Sequence, residues 1–232
     1  MLIFFQLSEI TVDRAMAHVK RGDMTGFATL VNAAGELSFK RNARALALAS
    51  TVPSRIVQAN AADMSSGHIL KTLIQAEKLL DRSLVNNPYL ASSYHEKALV
   101  AEMALKYTPE QYTAYHNGNP PNVRALVEKA FYYDPLHPGT RIKLAEIMAA
   151  DGEGDAAYAL LKDGLKWQYL GTKGMRLFET VATQALERRD IETQTAALLR
   201  IRQVYGAGKI IKEKEHAIIE KLGPLWPLIK NR

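Results

Sequence analysis

Apolar residues recur every three or four positions along most of the chain, which is the period of one buried face of an α-helix. The first set is Val12, Ala15, Met16 and Val19, and the second is Phe27, Leu30, Val31 and Ala34. Between the two sets stands Arg21-Gly22-Asp23, where glycine suits the end of one helix and aspartate the start of the next. The pattern predicts a helical hairpin.

Two further helices and then a longer one are predicted after this hairpin. A third helix covers about Lys40 to Thr51 and ends before Pro53, because proline disfavours helical geometry in the residue that precedes it. A fourth segment runs from Pro53 to about Asp63. Met64-Ser65-Ser66-Gly67 then interrupts the pattern and offers serine caps for a helix. The buried face of that helix is expected at Ile69, Leu73, Ala76, Leu80 and Leu84.

From Pro88 onward the predicted helices follow one another closely. Their expected bounds are Tyr89 to Lys106, Asn122 to Tyr133, Gly139 to Ala150, Asp155 to Trp167, Lys173 to Arg188, Ile191 to Tyr205 and Lys209 to Lys221. Pro224 and Pro227, on either side of Trp226, are expected to stop the last helix and cover its end. No convincing alternating strand pattern with hairpin turns is found, so the predicted fold class is all-α.

Small side chains stand at regular places in these helices. The clearest series is Leu144, Ala145, Gly152, Ala157, Leu161 and Gly164, and related series are Ala76, Leu80 and Ser83; Tyr94, Ala98, Ala101, Val127 and Ala130; and Phe178, Val181, Ala182, Ala185 and Leu198. Small residues at a helix crossing let two backbones approach closely without leaving voids. Proline follows two of the series, at Pro88 and Pro135.

These positions resemble the tetratricopeptide repeat, a helix-turn-helix unit of about 34 residues, and the resemblance is clearest over residues 70–205. It implies a right-handed α-solenoid of antiparallel helix pairs. Pro88 and Pro135 are 47 residues apart, 13 more than one period, so an inserted loop is expected at residues 107–122. The expected organisation is irregular or degenerate helical hairpins at 1–67, a repeat array at 68–222 and a C-terminal tail at 223–232.

Composition is that of a protein with a core, since 47% of the 232 residues are apolar and 23% are charged. A net charge of +6 raises the question of nucleic acid. However, Lys209, Lys212, Lys214 and Lys221 alternate with Glu213, Glu215 and Glu220, which is typical of a solvated helix face. Nucleic acid is therefore not a predicted partner. The absence of cysteine excludes disulfides and thiolate zinc sites but leaves the compartment open.

The apolar start, Met1 to Phe5, lacks the basic segment and cleavage site of a signal peptide. No stretch approaches the roughly 18 uncharged apolar residues of a spanning helix, so the chain as given is not expected to cross a bilayer. Two interpretations remain. In the first, the segment packs on the first helix. In the second, it contacts a membrane surface or is the last turn of a spanning segment of a longer protein. The predicted location is cytoplasmic or membrane-peripheral.

No motif for catalysis, a cofactor or a metal is found. The six histidines do not occur at a recognised metal-binding spacing, and no serine lies in a Gly-x-Ser-x-Gly elbow. The glycine clusters lack the lysine and threonine of a phosphate loop. We therefore predict a non-enzymatic protein with no metal site and no cofactor.

The resemblance implies a site on exposed positions of the first helix of each pair, which in that family line a groove for a partner peptide or protein. Here these positions are His95, Glu102, Glu146, Arg176, Glu179 and Thr183. The inserted loop adds Tyr112, Tyr115 and His116, which either pack across the end of the helix pair or shape the groove. The predicted function is a protein-interaction scaffold or adaptor. The alternative is a membrane-peripheral component of a cell-envelope polysaccharide or secretion machine, and the oligomeric state stays open.

Overall fold

A computed structural model describes residues 2–21, 23–37, 42–169 and 172–206, and within these ranges every regular element is helical. The helices are α1 (Leu2–Lys20), α2 (Met24–Leu37), α3 (Ala43–Asn60), α4 (Ser66–Asn86), α5 (Ala91–Tyr107), α6 (Pro109–Tyr115), α7 (Val123–Tyr133), α8 (Pro138–Ala150), α9 (Gly154–Asp163), α10 (Thr172–Glu187) and α11 (Ile191–Gly206). Short 3₁₀ turns follow α3 and α9, at Ala61–Asp63 and Gly164–Lys166. The all-α prediction is confirmed.

Local sequence signals account for most helix starts. Ser65 accepts a hydrogen bond from the His68 amide at the start of α4, as the serine cap predicted. Asn42 and Asn122 cap α3 and α7 in the same way through the amides of Ala45 and Ala125. A side-chain oxygen placed there satisfies an amide that has no partner within the helix.

The predicted break before Pro53 is wrong, because α3 continues from Ala43 to Asn60 with Pro53 inside it. Proline removes the backbone donor that would bond the carbonyl of Ala49, four residues before it in the helix. Because the helix continues, the residues before and after Pro53 form one buried face. That face consists of Leu46, Ser50, Ser54 and Val57. Packing of α3 along α4 therefore outweighs the local preference for a break.

The predicted loop at 107–122 is also corrected, because it contains the short helix α6, Pro109–Tyr115. Proline occupies its first turn, where the missing amide costs no hydrogen bond. A tight turn follows, with positive φ at Asn117 and Gly118. The insertion between α5 and α7 is thus an ordered helix and turn.

The chain divides into two compact units, residues 1–134 and 135–232. In the first unit α1 packs with α2, α3 with α4, and α5 with α7. In the second unit α8 packs with α9 and α10 with α11, and the first helices of these two pairs, α8 and α10, also touch. The predicted boundaries at residues 67 and 222, which separate irregular hairpins, repeat array and tail, stay a prediction. The expected helix Lys209 to Lys221, its charge pattern and the tail around Trp226 lie outside the described residues.

Most positions of the repeat series lie in the cores, whereas Gly152 is exposed at the turn between α8 and α9. In the second unit Ala145, Ala157, Leu161, Phe178 and Ala182 are at most 2% exposed and belong to one apolar cluster. In the first unit the buried residues of the series are Ala76, Leu80, Ala98, Ala101, Val127 and Ala130. Close helix crossings therefore explain the small-residue pattern. Within the described ranges, no helix has both the length and the apolarity to span a membrane.

Candidate partner-binding surfaces

The predicted groove residues of the second unit lie together on α8 and α10. Oε1 of Glu146, on α8, is 3.8 Å from Nη2 of Arg176, on α10, and Oε2 is 3.7 Å from Nζ of Lys143. The Glu146 and Arg176 side chains are 49% and 72% exposed. The first helices of two consecutive pairs therefore present charged groups side by side.

Arg176, Glu179 and Thr183 share one face of α10, since they are three and seven positions apart. Thr183 is exposed and Glu179 is half-buried. The Thr183 hydroxyl donates to the backbone carbonyl of Glu179 at 3.0 Å, so it is satisfied within its own helix. The face formed by Lys143, Glu146, Arg176, Glu179 and Thr183 is called the α8/α10 face below.

His95 and Glu102 lie in the first unit, seven positions apart on one face of α5. Both side chains are half-buried. They belong to a different compact unit from the α8/α10 face, so the predicted set forms two groups, one in each unit.

Of the three residues predicted in the insertion, Tyr112 is not at the surface. It is 0% exposed, and its hydroxyl donates to Oε2 of Glu77 at 3.3 Å. A fully buried side chain cannot contact a partner directly, which corrects its assignment as a binding residue. Tyr115 is 44% exposed and packs edge-on against the His116 ring, with 4.9 Å between ring centroids. Tyr115 is therefore the most accessible of the three.

Glu77, on α4, is a buried residue that the sequence reasoning missed. His116 places Nε2 at 3.1 Å from its Oε2, and Lys97, on α5, places Nζ at 3.9 Å from its Oε1. Burial raises the pKa of the Tyr112 hydroxyl, and the Glu77 carboxylate beside it adds to the rise. Its position in the sequence could have indicated that Glu77 is buried. Glu77 lies four residues after Leu73 and three before Leu80, on the predicted buried face of the helix.

Buried Glu77 and its contacts with Lys97, Tyr112 and His116, together called the Glu77 group, join the insertion to α4 and α5. Glu77 contacts two residues of the insertion and one of α5, while Lys97 also pairs with Asp81 on α4. Among the described residues, no three His, Asp or Glu side chains converge in a group that could hold a metal ion. We interpret the Glu77 group as structural.

Comparison with solved structures shows what these helix pairs resemble. The chain is similar to a monomeric variant of IFIT1 solved with the capped RNA m7Gppp-AAAA, with 12% identity and a TM-score of 0.55. This likeness covers 93% of the present chain and 45% of the IFIT1 chain. IFIT1 is a tetratricopeptide-repeat protein. The fold is tetratricopeptide-like.

Two further tetratricopeptide-repeat proteins match over much of their length. MamA matches with 12% identity and a TM-score of 0.46 over 88% of this chain and 97% of MamA. PilF of Pseudomonas aeruginosa matches with 14% identity and a TM-score of 0.39 over 88% of this chain and 94% of PilF. No protein-family model matches the sequence, and no curated protein matches it. The tetratricopeptide-like assignment therefore concerns the fold, and the chain spans less than half of the IFIT1 chain.

Proposed function

We propose that this tetratricopeptide-like chain is a protein-interaction scaffold whose α8/α10 face binds an extended or helical peptide segment of a partner protein. The observation that supports this most is the ion pair between Glu146 and Arg176, which joins two consecutive first helices while both side chains stay exposed. The function does not involve catalysis. His95 and Glu102, on α5 of the first unit, are proposed as partner-binding residues in their own right.

The ion pairs within the α8/α10 face can be replaced by ion pairs with a partner. Exposed ion pairs contribute only about 0–1 kcal/mol each, because solvent already screens both charges. Glu146 and Arg176 can therefore turn from each other to charges of a peptide at small cost. Complementary charges fix the register of a bound segment, while apolar contacts supply most of the affinity.

The test begins with the intact chain as bait in a lysate of its source cells, followed by titration of the captured partner. We expect Glu146→Lys and Arg176→Glu each to weaken binding about tenfold, which corresponds to about 1.4 kcal/mol. The double swap keeps the internal ion pair but inverts the charges offered to the partner, so binding should stay weak. Unchanged affinity in all three variants would remove the α8/α10 face as the site.

Ala196→Glu supplies a matched control. Ala196 is exposed on α11, the second helix of its pair, so a new charge there should leave binding within about twofold of the unsubstituted chain. Equal weakening by this substitution would indicate a general charge effect. Thermal unfolding of each variant separates lost binding from lost folding.

The alternative of a membrane-peripheral role is favoured by one observation on α1. Leu7 and Ile10, one helical turn apart, are 43% and 50% exposed, and they belong to the same helix as Leu2–Phe5. Exposed apolar side chains on one face can insert into the interface of a bilayer. The side chains of Met1 to Phe5 themselves lie outside the described residues.

Flotation with vesicles of phosphatidylcholine and phosphatidylglycerol tests this alternative. We expect the intact chain to float, and the double variant Leu7→Ser/Ile10→Ser, or deletion of Met1 to Phe5, to remain at the bottom of the gradient. Ile56→Ser is the matched control, because Ile56 is 46% exposed on a different helix. If the intact chain does not float, the membrane alternative is wrong.

A further inference from the structure

Four tyrosines and a lysine form a continuous aromatic surface on the first unit. Tyr89 packs edge-on against Tyr133 with 5.7 Å between ring centroids, and Tyr133 also contacts Tyr94 at 5.7 Å and Tyr132 at 5.3 Å. Nζ of Lys129 lies 4.9 Å from the centroid of the Tyr94 ring. The surface made by Tyr89, Tyr94, Lys129, Tyr132 and Tyr133 is called the tyrosine surface.

Two neighbouring elements bring these residues together. Tyr89 lies in the short link before α5, and Tyr94 lies in the first turn of that helix. Lys129, Tyr132 and Tyr133 belong to the last turns of α7, three and four positions apart. Since α5 and α7 pack as one antiparallel pair, the start of one lies beside the end of the other.

The inner and outer rings of this surface differ in what they do. Tyr94 is 7% exposed and serves the packing of α5 on α7. Tyr89 and Tyr132 are 71% and 79% exposed, so burial within the unit explains little of their presence. Exposed aromatic rings held by neighbouring rings lose little conformational entropy on binding, which makes them effective contact residues.

Tyrosine hydroxyls of this surface can bind backbone carbonyls, as one of them does within the chain. The Tyr94 hydroxyl donates to the carbonyl oxygen of Pro88 at 3.0 Å, so a tyrosine of the surface already binds a proline carbonyl of its own chain. In a polyproline II helix the carbonyls have no internal partners and remain available to such donors. Proline rings pack between aromatic side chains, as in the recognition of proline-rich segments generally.

We infer that the tyrosine surface binds a proline-rich segment of a partner protein in the polyproline II conformation, with an acidic residue beside the prolines. The exposed rings of Tyr89 and Tyr132 pack against the prolines, and their hydroxyls donate to the carbonyls of the segment. Lys129 pairs with the acidic residue, since its neighbour Glu128 is already paired with Arg124 at 2.9 Å. This binding does not depend on the α8/α10 face.

The test uses a fluorescein-labelled peptide of about ten prolines followed by two glutamates, titrated by fluorescence anisotropy with the full chain in physiological salt. We expect saturable binding with a Kd on the order of 100 μM, equivalent to about −5.5 kcal/mol. The double variant Tyr89→Ala/Tyr132→Ala should weaken it at least tenfold. Trp167→Ala removes another partly exposed aromatic ring, to which no binding role is assigned, and should leave binding unchanged.

Charge reversal tests the role of Lys129 separately. Lys129→Glu should weaken binding of the peptide that ends in glutamates and strengthen binding of the same peptide ending in two lysines. A peptide of the same length built from alanine and glycine should not bind. Circular dichroism and thermal unfolding verify that each variant remains folded.

Three results would overturn the inference. The first is that the anisotropy of the labelled proline peptide does not saturate when the protein reaches about 2 mM, well above the expected Kd. The second is that the double tyrosine variant binds this peptide as well as the unsubstituted chain does. The third is that an oligoadenylate RNA binds to the unsubstituted chain but not to the double tyrosine variant, while the proline peptide binds to neither. That result would make the surface a stacking platform for bases.

Discussion

Nε2 of His116 lies 3.1 Å from Oε2 of Glu77, although 39 positions separate the two residues in the chain. The same carboxylate oxygen accepts the hydroxyl of Tyr112, and Lys97 approaches the other oxygen. Glu77 is 2% exposed. One buried carboxylate thus joins the insertion that contains α6 to α4 and α5.

Replacement of Glu77 by alanine should reduce the free energy of unfolding by about 2–4 kcal/mol, because it leaves the Tyr112 hydroxyl buried without its acceptor and Lys97 without one of its two acidic partners. Urea unfolding followed by circular dichroism measures the loss. Glu110→Ala, at an exposed position of α6, should change stability by less than about 0.5 kcal/mol. Equal effects of the two substitutions would show that the Glu77 group does not stabilise the fold.

Alkaline titration should leave Tyr112 protonated for as long as the protein is folded. Burial, followed by the nearby charge of Glu77, raises its pKa above the ordinary value. Its contribution to stability is therefore complete below the unfolded pKa of about 10 and is lost as pH rises beyond it. The tyrosinate absorbance of Tyr112→Phe should equal that of the unsubstituted chain when folded and be lower by one tyrosine in urea. A difference in the folded state would contradict this.

Gly164→Ala should destabilise the second unit by about 1–3 kcal/mol through overpacking. A Cβ atom at this position would lie 2.8 Å from Cδ2 of Leu177 and 3.0 Å from Cδ of Arg141, two buried side chains. Thermal unfolding measures the effect. Gly67→Ala is the control, because nothing lies within 4 Å of its added Cβ in the first turn of α4. That substitution should be neutral or slightly stabilising.

Acid should lower the free energy of unfolding, and protonation of Asp190 should account for part of the loss. The Thr193 amide and hydroxyl, and then the Tyr158 hydroxyl, donate to this carboxylate and hold its pKa well below the usual range. A lowered folded pKa contributes stability above the unfolded value of about 3.9, and that stability is lost as pH falls below it.

Asp190→Asn should therefore lower the urea midpoint at pH 7 and reduce the further fall of that midpoint between about pH 5 and pH 2. Asp155→Asn is the matched control in the same unit, since the Asp155 side chain is 99% exposed. It should leave the midpoint at pH 7 nearly unchanged. If Asp190→Asn retains the full acid dependence of the unsubstituted chain, the role of Asp190 is disproved.

Much of the fold could be predicted because its signals are local. Apolar spacing reveals which face of a helix is buried, and a residue such as Ser65 or Asn122 marks a helix start through bonds to nearby amides. Small residues such as Ala145 and Ala157 also reveal that helices cross closely. For the candidate site, the sequence predicted Glu146 and Arg176, and the structure brings them together across two helices.

Helical periodicity, caps and small contact residues were thus determined by the sequence by itself, since each depends on neighbours within about one or two turns. Tertiary structure decided the continuation of α3 through Pro53, the burial of Tyr112 and the partners of Glu77. The preference of proline for a helix break, which is a few kcal/mol, is outweighed when the residues before and after it pack as one buried helix face. A buried charge depends on residues that are distant in the chain, and only the folded arrangement brings those residues to it.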